Sequence, residues 1–258
     1  MMFKRKKAFY HSDSEKATKL CGELDFAATE AYKLLRTNLT FTLQDSAKKC
    51  HVIGVSSSAP GEGKTTTSIN LSYALAATGK RVLLIDADLR RPTIAKKLKL
   101  ASGKGLSDVL LNPNDLNKSL CVMEGYENWN VLMSGSIPPN PTEMLGSSRM
   151  ARLIESLSEN YNYIVLDLPP VNIVSDALVA SPLLDGMLLV VRQNFSSRRE
   201  LSKCWKQLEL SGVKMLGFVL SDVTSGRYAY RYRYKYKYRK HYYYYNQDKY
   251  AQSKGDRQ

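Results

Sequence analysis

Four residue types at fixed spacings carry the chemistry open to this sequence: a lysine and a threonine in a glycine loop, and aspartates at the ends of apolar runs. The segment Ser58-Ala-Pro-Gly-Glu-Gly-Lys-Thr65 follows one apolar run and opens directly into a helical pattern, the strand, loop and helix setting of a P-loop. Glycines there let backbone N–H groups face a phosphate, and the helix N-terminus adds its dipole. Lys64 can reach the outer phosphates and the Thr65 hydroxyl can ligate Mg²⁺. Ser58 stands where the general pattern has glycine. The candidate nucleotide-binding set is Pro60, Gly61, Glu62, Gly63, Lys64, Thr65 and Thr66.

The carboxylates come next. In Ile85-Asp-Ala-Asp-Leu-Arg-Arg-Pro92, Asp86 and Asp88 sit at i and i+2 and so share one side of a strand's C-terminal end. Asp167 follows Tyr163-Ile-Val-Leu166 and precedes Leu168-Pro-Pro170. An aspartate that ends a strand is ordinarily a turn or cap residue. Three of them in a chain with a P-loop read instead as organisers of metal and water, because Mg²⁺ favours a few carboxylates together with phosphate oxygens.

Alternating elements must position these groups. An amphipathic helix capped by Asp25 is expected up to residue 43, ahead of the core. Strands are expected at 51–57, 81–86, 130–133, 163–168, 186–191 and 215–220. Helices are expected at 64–77, 93–98, 106–111, 142–159, 176–180 and 197–210. Continuously apolar strands such as Val82-Leu-Leu-Ile85 belong to parallel sheets covered on both faces. The fold class is therefore α/β, a doubly wound, mostly parallel sheet, with its ligand site at the carboxyl ends of the strands.

With 258 residues, 43% of them hydrophobic and 24% charged, the chain can bury one substantial core. Its 38 Lys and Arg against 24 Asp and Glu give a formal charge of +14, which favours an anionic partner. More than half of that excess lies in residues 227–258, which carry +8 and eleven of the 17 tyrosines: Tyr228, Tyr230, Tyr232, Tyr234, Tyr236, Tyr238, Tyr242, Tyr243, Tyr244, Tyr245 and Tyr250. The organisation expected is a basic extension at 1–24, a core domain at 25–226 and a disordered Tyr/Lys/Arg-rich tail at 227–258. No apolar run is long enough to span a bilayer, and the start Met-Met-Phe-Lys-Arg-Lys-Lys lacks a signal peptide's apolar segment, so a cytoplasmic protein is expected. Cys21, Cys50, Cys121 and Cys204 show no metal-ligand spacing and are expected as reduced thiols.

At this point the chain resembles a known family, the bacterial tyrosine kinases, in particular the free-standing kinase half of split capsule and exopolysaccharide systems. The resemblance rests on Ser56-Ser57 before Pro60-Gly-Glu-Gly-Lys-Thr65, on Leu83-Leu-Ile-Asp-Ala-Asp-Leu-Arg-Arg-Pro92, on Ile164-Val-Leu-Asp-Leu-Pro-Pro170 and on the tyrosine cluster. It implies ATP and Mg²⁺ as cofactors, with Lys64 on the phosphates, Thr65, Asp86 and Asp167 serving the metal, and Asp88 receiving the tyrosine proton. Arg90 and Arg91 are candidates for charge stabilisation or subunit contact, or else a solvated surface pair. The tail tyrosines become autophosphorylation sites.

The resemblance also implies partners. A Glu and two Arg spaced by three on the first helix build a ring-shaped homo-oligomer in the family; here the positions are Glu30, Lys33 and Arg36, with Lys33 in place of the first Arg. Lysine lacks the planar bidentate fork of arginine. A membrane-embedded activator of the polysaccharide co-polymerase type, a cognate tyrosine phosphatase and sugar-nucleotide enzymes as substrates follow from the same resemblance, with recruitment to the inner face of the plasma membrane. Ser221 stands where relatives have a base-contacting Asn.

Two rivals stay open on the residues. A partitioning or septum-positioning ATPase of the same lineage carries an extra lysine early in its loop, where this chain has Ala59. A single-stranded nucleic-acid binder would stack bases on the tail's aromatics and track phosphates with its cations, but nucleic acid is not the expected partner.

Overall fold

The computed structural model describes residues 6–7, 23–43 and 48–223. In chain order its elements are β1 (Lys6–Lys7), α1 (Phe26–Leu43), β2 (His51–Ser57), α2 (Lys64–Ala76), β3 (Val82–Asp86), α3 (Ile94–Lys97), α4 (Leu106–Leu111) and α5 (Leu116–Ser119). There follow β4 (Leu120–Met123), β5 (Tyr126–Leu132), α6 (Pro141–Leu145), α7 (Ser148–Ser158), β6 (Tyr163–Asp167), α8 (Asp176–Val179), β7 (Gly186–Arg192), α9 (Arg198–Leu210) and β8 (Met215–Ser221). The tyrosine cluster and most of the basic extension lie outside the described residues.

The strands form one sheet in the order β1-β4-β5-β3-β6-β2-β7-β8, parallel throughout except where β4 and β5 pair antiparallel. Alternate residues of each strand feed two cores. Ile53, Val55, Val82, Leu84, Val165 and Val190 pack under α1 and α2, through Leu39, Leu43, Ile69 and Leu75. Leu83, Ile85, Ile164, Leu166 and Leu189 pack on the other face, against α4, α7 and α9. This is the doubly wound arrangement expected from strands apolar on both sides.

Local signals explain several boundaries. Asp25 caps α1, its Oδ1 accepting from Ala28 N at 2.8 Å. Ser197 caps α9 in the same manner, accepting from Glu200 N at 3.1 Å. The single helix expected at 142–159 is instead two, α6 and α7. The break falls at Gly146, where a Cβ would lie 2.4 Å from Val179 of α8, and Ser147 then caps α7 through Met150 N at 3.2 Å.

One strand escaped the sequence reading and another was read short. β4 is a four-residue piece turned back onto β5 through Gly125, and β5 begins four residues earlier than expected. Glu127, Asn128 and Asn130 hide its apolar pattern; Asn130 is nonetheless buried, its Oδ1 accepting from the Tyr161 hydroxyl at 2.9 Å. The two-residue β1 beside β4 also lies in a segment expected to have no strand.

Candidate active site

The order of the sheet assembles the site. β6 lies between β3 and β2, so three chain-distant strand ends become neighbours. Asp86 at the end of β3 is the register partner of Asp167 at the end of β6, and Asp167 pairs on its other side with Val55 of β2, which leads into the P-loop.

In that loop Gly61 (φ 82°) and Gly63 (φ 95°) take left-handed backbone conformations that few other residues tolerate. Gly63 is the N-cap of α2. By helix geometry the N–H groups of Lys64, Thr65 and Thr66 have no partner within the helix, which makes this end an anion site.

Lys64 leans over the carboxylates, its Nζ 2.9 Å from Asp88 Oδ2 and 3.5 Å from Asp167 Oδ2. Burial by itself would lower the Lys64 pKa, but Asp167 and Asp88 outweigh it and raise it. The Thr65 hydroxyl donates to Asp167 Oδ2 at 2.6 Å, and Ser68 donates to Asp167 Oδ1 at 3.1 Å. Asp167 is fully buried, and desolvation raises its pKa against the opposing pull of Lys64. Asp88 is held from behind, its Oδ1 accepting from Arg91 N at 3.0 Å.

Asp86 differs. Its Oδ2 accepts from Thr93 N at 3.2 Å and Ile94 N at 3.0 Å, whereas Oδ1 is buried with no hydrogen-bond partner among the described residues. Desolvation, with the charge of Asp167 beside it, pushes its pKa up to about 7. An orphaned carboxylate oxygen beside a threonine hydroxyl and a second carboxylate is a hard-oxygen donor set, and it fits Mg²⁺. The residues Thr65, Asp86 and Asp167 read from the sequence therefore meet, together with Lys64 and Asp88.

Three further residues singled out in the sequence take defined places. The Glu62 side chain is fully buried and accepts from Ser58 N at 2.7 Å and Ala59 N at 2.9 Å, so it braces the loop instead of lining its mouth. Arg90 is an exposed surface charge that is nevertheless tied down. Its guanidinium grips the buried Asp176 through Nε (2.9 Å) and Nη2 (3.1 Å), and Thr142 joins the same group at 2.5 Å. Ser221 is turned to the loop as well, its hydroxyl donating to the Glu62 carbonyl at 2.6 Å. Arg91 is exposed.

The Arg90–Asp176 pair ties the segment carrying Asp88 to α8 and has a measurable weight. Asp176→Ala is expected to lower unfolding stability by about 2 kcal/mol, since Arg90 and Thr142 lose a buried shared acceptor, a loss reduced because the guanidinium itself is exposed to solvent. Urea denaturation monitored by circular dichroism checks it, and a loss below about 1 kcal/mol would contradict it.

On the first helix Glu30 and Lys33 pair with each other at 2.8 Å, while Arg36 Nη1 donates to the Ala74 carbonyl of α2 at 3.0 Å.

Serine residues 68 and 196 and Thr93 entered no sequence motif. Thr93 donates its hydroxyl to Thr65 at 3.2 Å, and Ser196 reaches Glu62 from the turn after β7. Spacing alone offered a signal only for Ser68, which lies one helical turn beyond Lys64.

Residues 50–212 match the family model described as AAA domain. The chain is 38% identical over 204 residues to tyrosine-protein kinase CpsD of Streptococcus pneumoniae serotype 4, spanning 78% of this chain and 88% of that one. It is 35% identical over 193 residues to tyrosine-protein kinase YwqD of Bacillus subtilis, spanning 75% and 80%. Among solved structures, the chimerical protein CapA2B2 superposes with a TM-score of 0.72 at 36% identity, covering 76% of this chain and 85% of that chain.

Proposed function

The chain belongs to the AAA domain family and is a bacterial protein-tyrosine kinase, and on that premise we propose that it transfers the γ-phosphoryl group of ATP to tyrosines of its own C-terminal segment. One observation carries the reading. Lys64, Asp86, Asp88 and Asp167 converge at the mouth of a glycine loop, with Lys64 Nζ 2.9 Å from Asp88.

The division of labour follows from that geometry. The loop N–H groups and Lys64 hold the phosphates. Mg²⁺ would be held by the Thr65 hydroxyl and Asp86, with Asp167 behind them, and would neutralise charge on the phosphate oxygens. Asp88 accepts the phenolic proton of the incoming tyrosine. A loose phosphoryl transition state does not demand full deprotonation of a group whose ordinary pKa is about 10, so positioning and charge dominate.

The acceptors proposed are the eleven tyrosines from Tyr228 to Tyr250. Each phosphate adds about −1.5 to −2 charge, so roughly four to five of them cancel the +8 of residues 227–258. The unmodified basic segment docks on acidic surface of a neighbouring subunit and phosphorylation releases it. Glu30, Lys33 and Arg36 contribute to that oligomer, whose ring is weakened where Lys33 stands for arginine.

No helix among the described residues is long and apolar enough to cross a membrane. Activation by the cytosolic end of a membrane protein, placement at the inner membrane face, reversal by a tyrosine phosphatase and a role in capsule or exopolysaccharide synthesis complete the reading; they rest on the family resemblance.

The test is incubation with Mg-ATP and an activator-tail peptide, followed by mass spectrometry of residues 227–258 and by light scattering. Phosphate on several tail tyrosines with loss of the oligomer is expected. ATP hydrolysis with an unmodified tail would instead favour a P-loop ATPase of the partitioning type.

A further inference from the structure

The loop that cradles the phosphates is held from outside at three adjacent places. Arg192 Nη1, at the end of β7, donates to the Gly61 carbonyl at 3.2 Å. Ser221, at the end of β8, donates to the Glu62 carbonyl at 2.6 Å. The third hold is on the Glu62 side chain itself. Its carboxylate accepts from Ser58 N at 2.7 Å, Ser58 Oγ at 2.9 Å and Ala59 N at 2.9 Å, and also from the Ser196 hydroxyl.

All four donors are neutral, and together they fill the acceptor sites of two carboxylate oxygens. Three belong to the loop; only Ser196 comes from elsewhere. Ser196 is itself fixed, because its Oγ accepts from Arg192 N at 2.8 Å and its own N–H donates to the Arg192 carbonyl at 3.0 Å. We infer that Ser196 is a positioning residue for the phosphate cradle, acting through the buried carboxylate of Glu62.

The physical reason is the asymmetry of buried hydrogen bonds. A fully buried carboxylate that loses one donor is left under-solvated, and it recovers by shifting toward other donors. The loop curls around Glu62 between two left-handed glycines, so any such shift moves the N–H groups that face the phosphates. Substrate and transition state lose the same contacts, so the loss falls on nucleotide affinity and spares turnover at saturation.

The inference rests on the reading of this loop as the ATP site, and the experiment separates the two. Mg-ADP binding is measured by calorimetry, with KM and kcat for ATP and thermal unfolding, on the full chain and on Ser196→Ala, Ser196→Thr, Glu62→Gln and Ser196→Ala/Glu62→Gln. Ser196→Ala is expected to weaken Mg-ADP and raise KM about tenfold, with kcat within about twofold of the wild type. Ser196→Thr, which keeps the hydroxyl, returns to within about threefold of the wild type. In the Glu62→Gln background the added Ser196→Ala changes affinity less than about twofold, because the route through the carboxylate is already broken.

Wild-type affinity in Ser196→Ala, whatever its melting temperature, overturns the inference. So does an undiminished tenfold effect in the Glu62→Gln background. A wild-type chain that binds no Mg-ADP would overturn the ATP-site reading instead.

Discussion

Lys64→Met is expected to reduce tyrosine phosphorylation by at least about a thousandfold, because charge on the transferring phosphoryl group loses its positioned cation. The same change acts on the fold. Lys64 faces Asp88 at 2.9 Å and Asp167 at 3.5 Å in a largely buried cluster. Its folded pKa is raised, so its stabilising charge is fully present below the ordinary lysine value of about 10.4 and is lost only as pH rises through the folded value. At pH 7 to 8 its removal therefore leaves clustered carboxylates uncompensated, and a loss of about 3 kcal/mol is expected. Mass spectrometry of the tail reads the first effect and urea denaturation the second. A variant retaining a tenth of the activity would sink the assignment of Lys64 to the phosphates.

Asp86→Asn is expected to be as inactive yet to move stability in the opposite direction. Its carboxyl titrates near 7 in the folded chain, above the ordinary Asp value of about 3.9. Between those values the folded state binds more protons than the unfolded state, so stability falls as pH rises from about 4 to about 7. Above that window the ionised group is buried beside Asp167, with Oδ1 unpartnered. The uncharged amide removes this cost, and a gain of about 1 to 4 kcal/mol at pH 8 is expected without nucleotide or Mg²⁺, shrinking toward zero near pH 4. Denaturation curves across pH 4 to 8 decide it: an unchanged or lower stability at pH 8 rules the account out. The pair of variants, both inactive and opposite in stability, separates a charge that the fold needs from one that the reaction needs.

The candidate catalytic groups were legible because phosphate chemistry demands residue types at short local spacings. Lys64 and Thr65 close a glycine loop, and Asp86 and Asp88 alternate at a strand end; each pattern fits inside ten residues. Asp167 was legible from an apolar strand that stops in a carboxylate. The role of the Glu62 side chain was not legible, because position inside the motif speaks only for its backbone, while burial turns the carboxylate to the loop's own N–H groups. Arg90 was left open because its partner Asp176 is 86 residues away. β5 was shortened because Asn130 and its neighbours break the apolar run, and Tyr161 explains a buried asparagine there; β4 was missed because its four residues are too short a run to show a period.

What the sequence determined by itself was the alternation of strand and helix, the two-sided burial of the strands and the candidate site groups, since each follows from the periodicity and chemistry of adjacent residues. What only the tertiary structure decided was which distant groups meet. The insertion of β6 between β2 and β3 brings Asp167 beside Asp86. The ends of β7 and β8 carry Ser196, Arg192 and Ser221 onto the phosphate loop. Strand order is set by how whole apolar faces pack together, and no local run of residues encodes that sum.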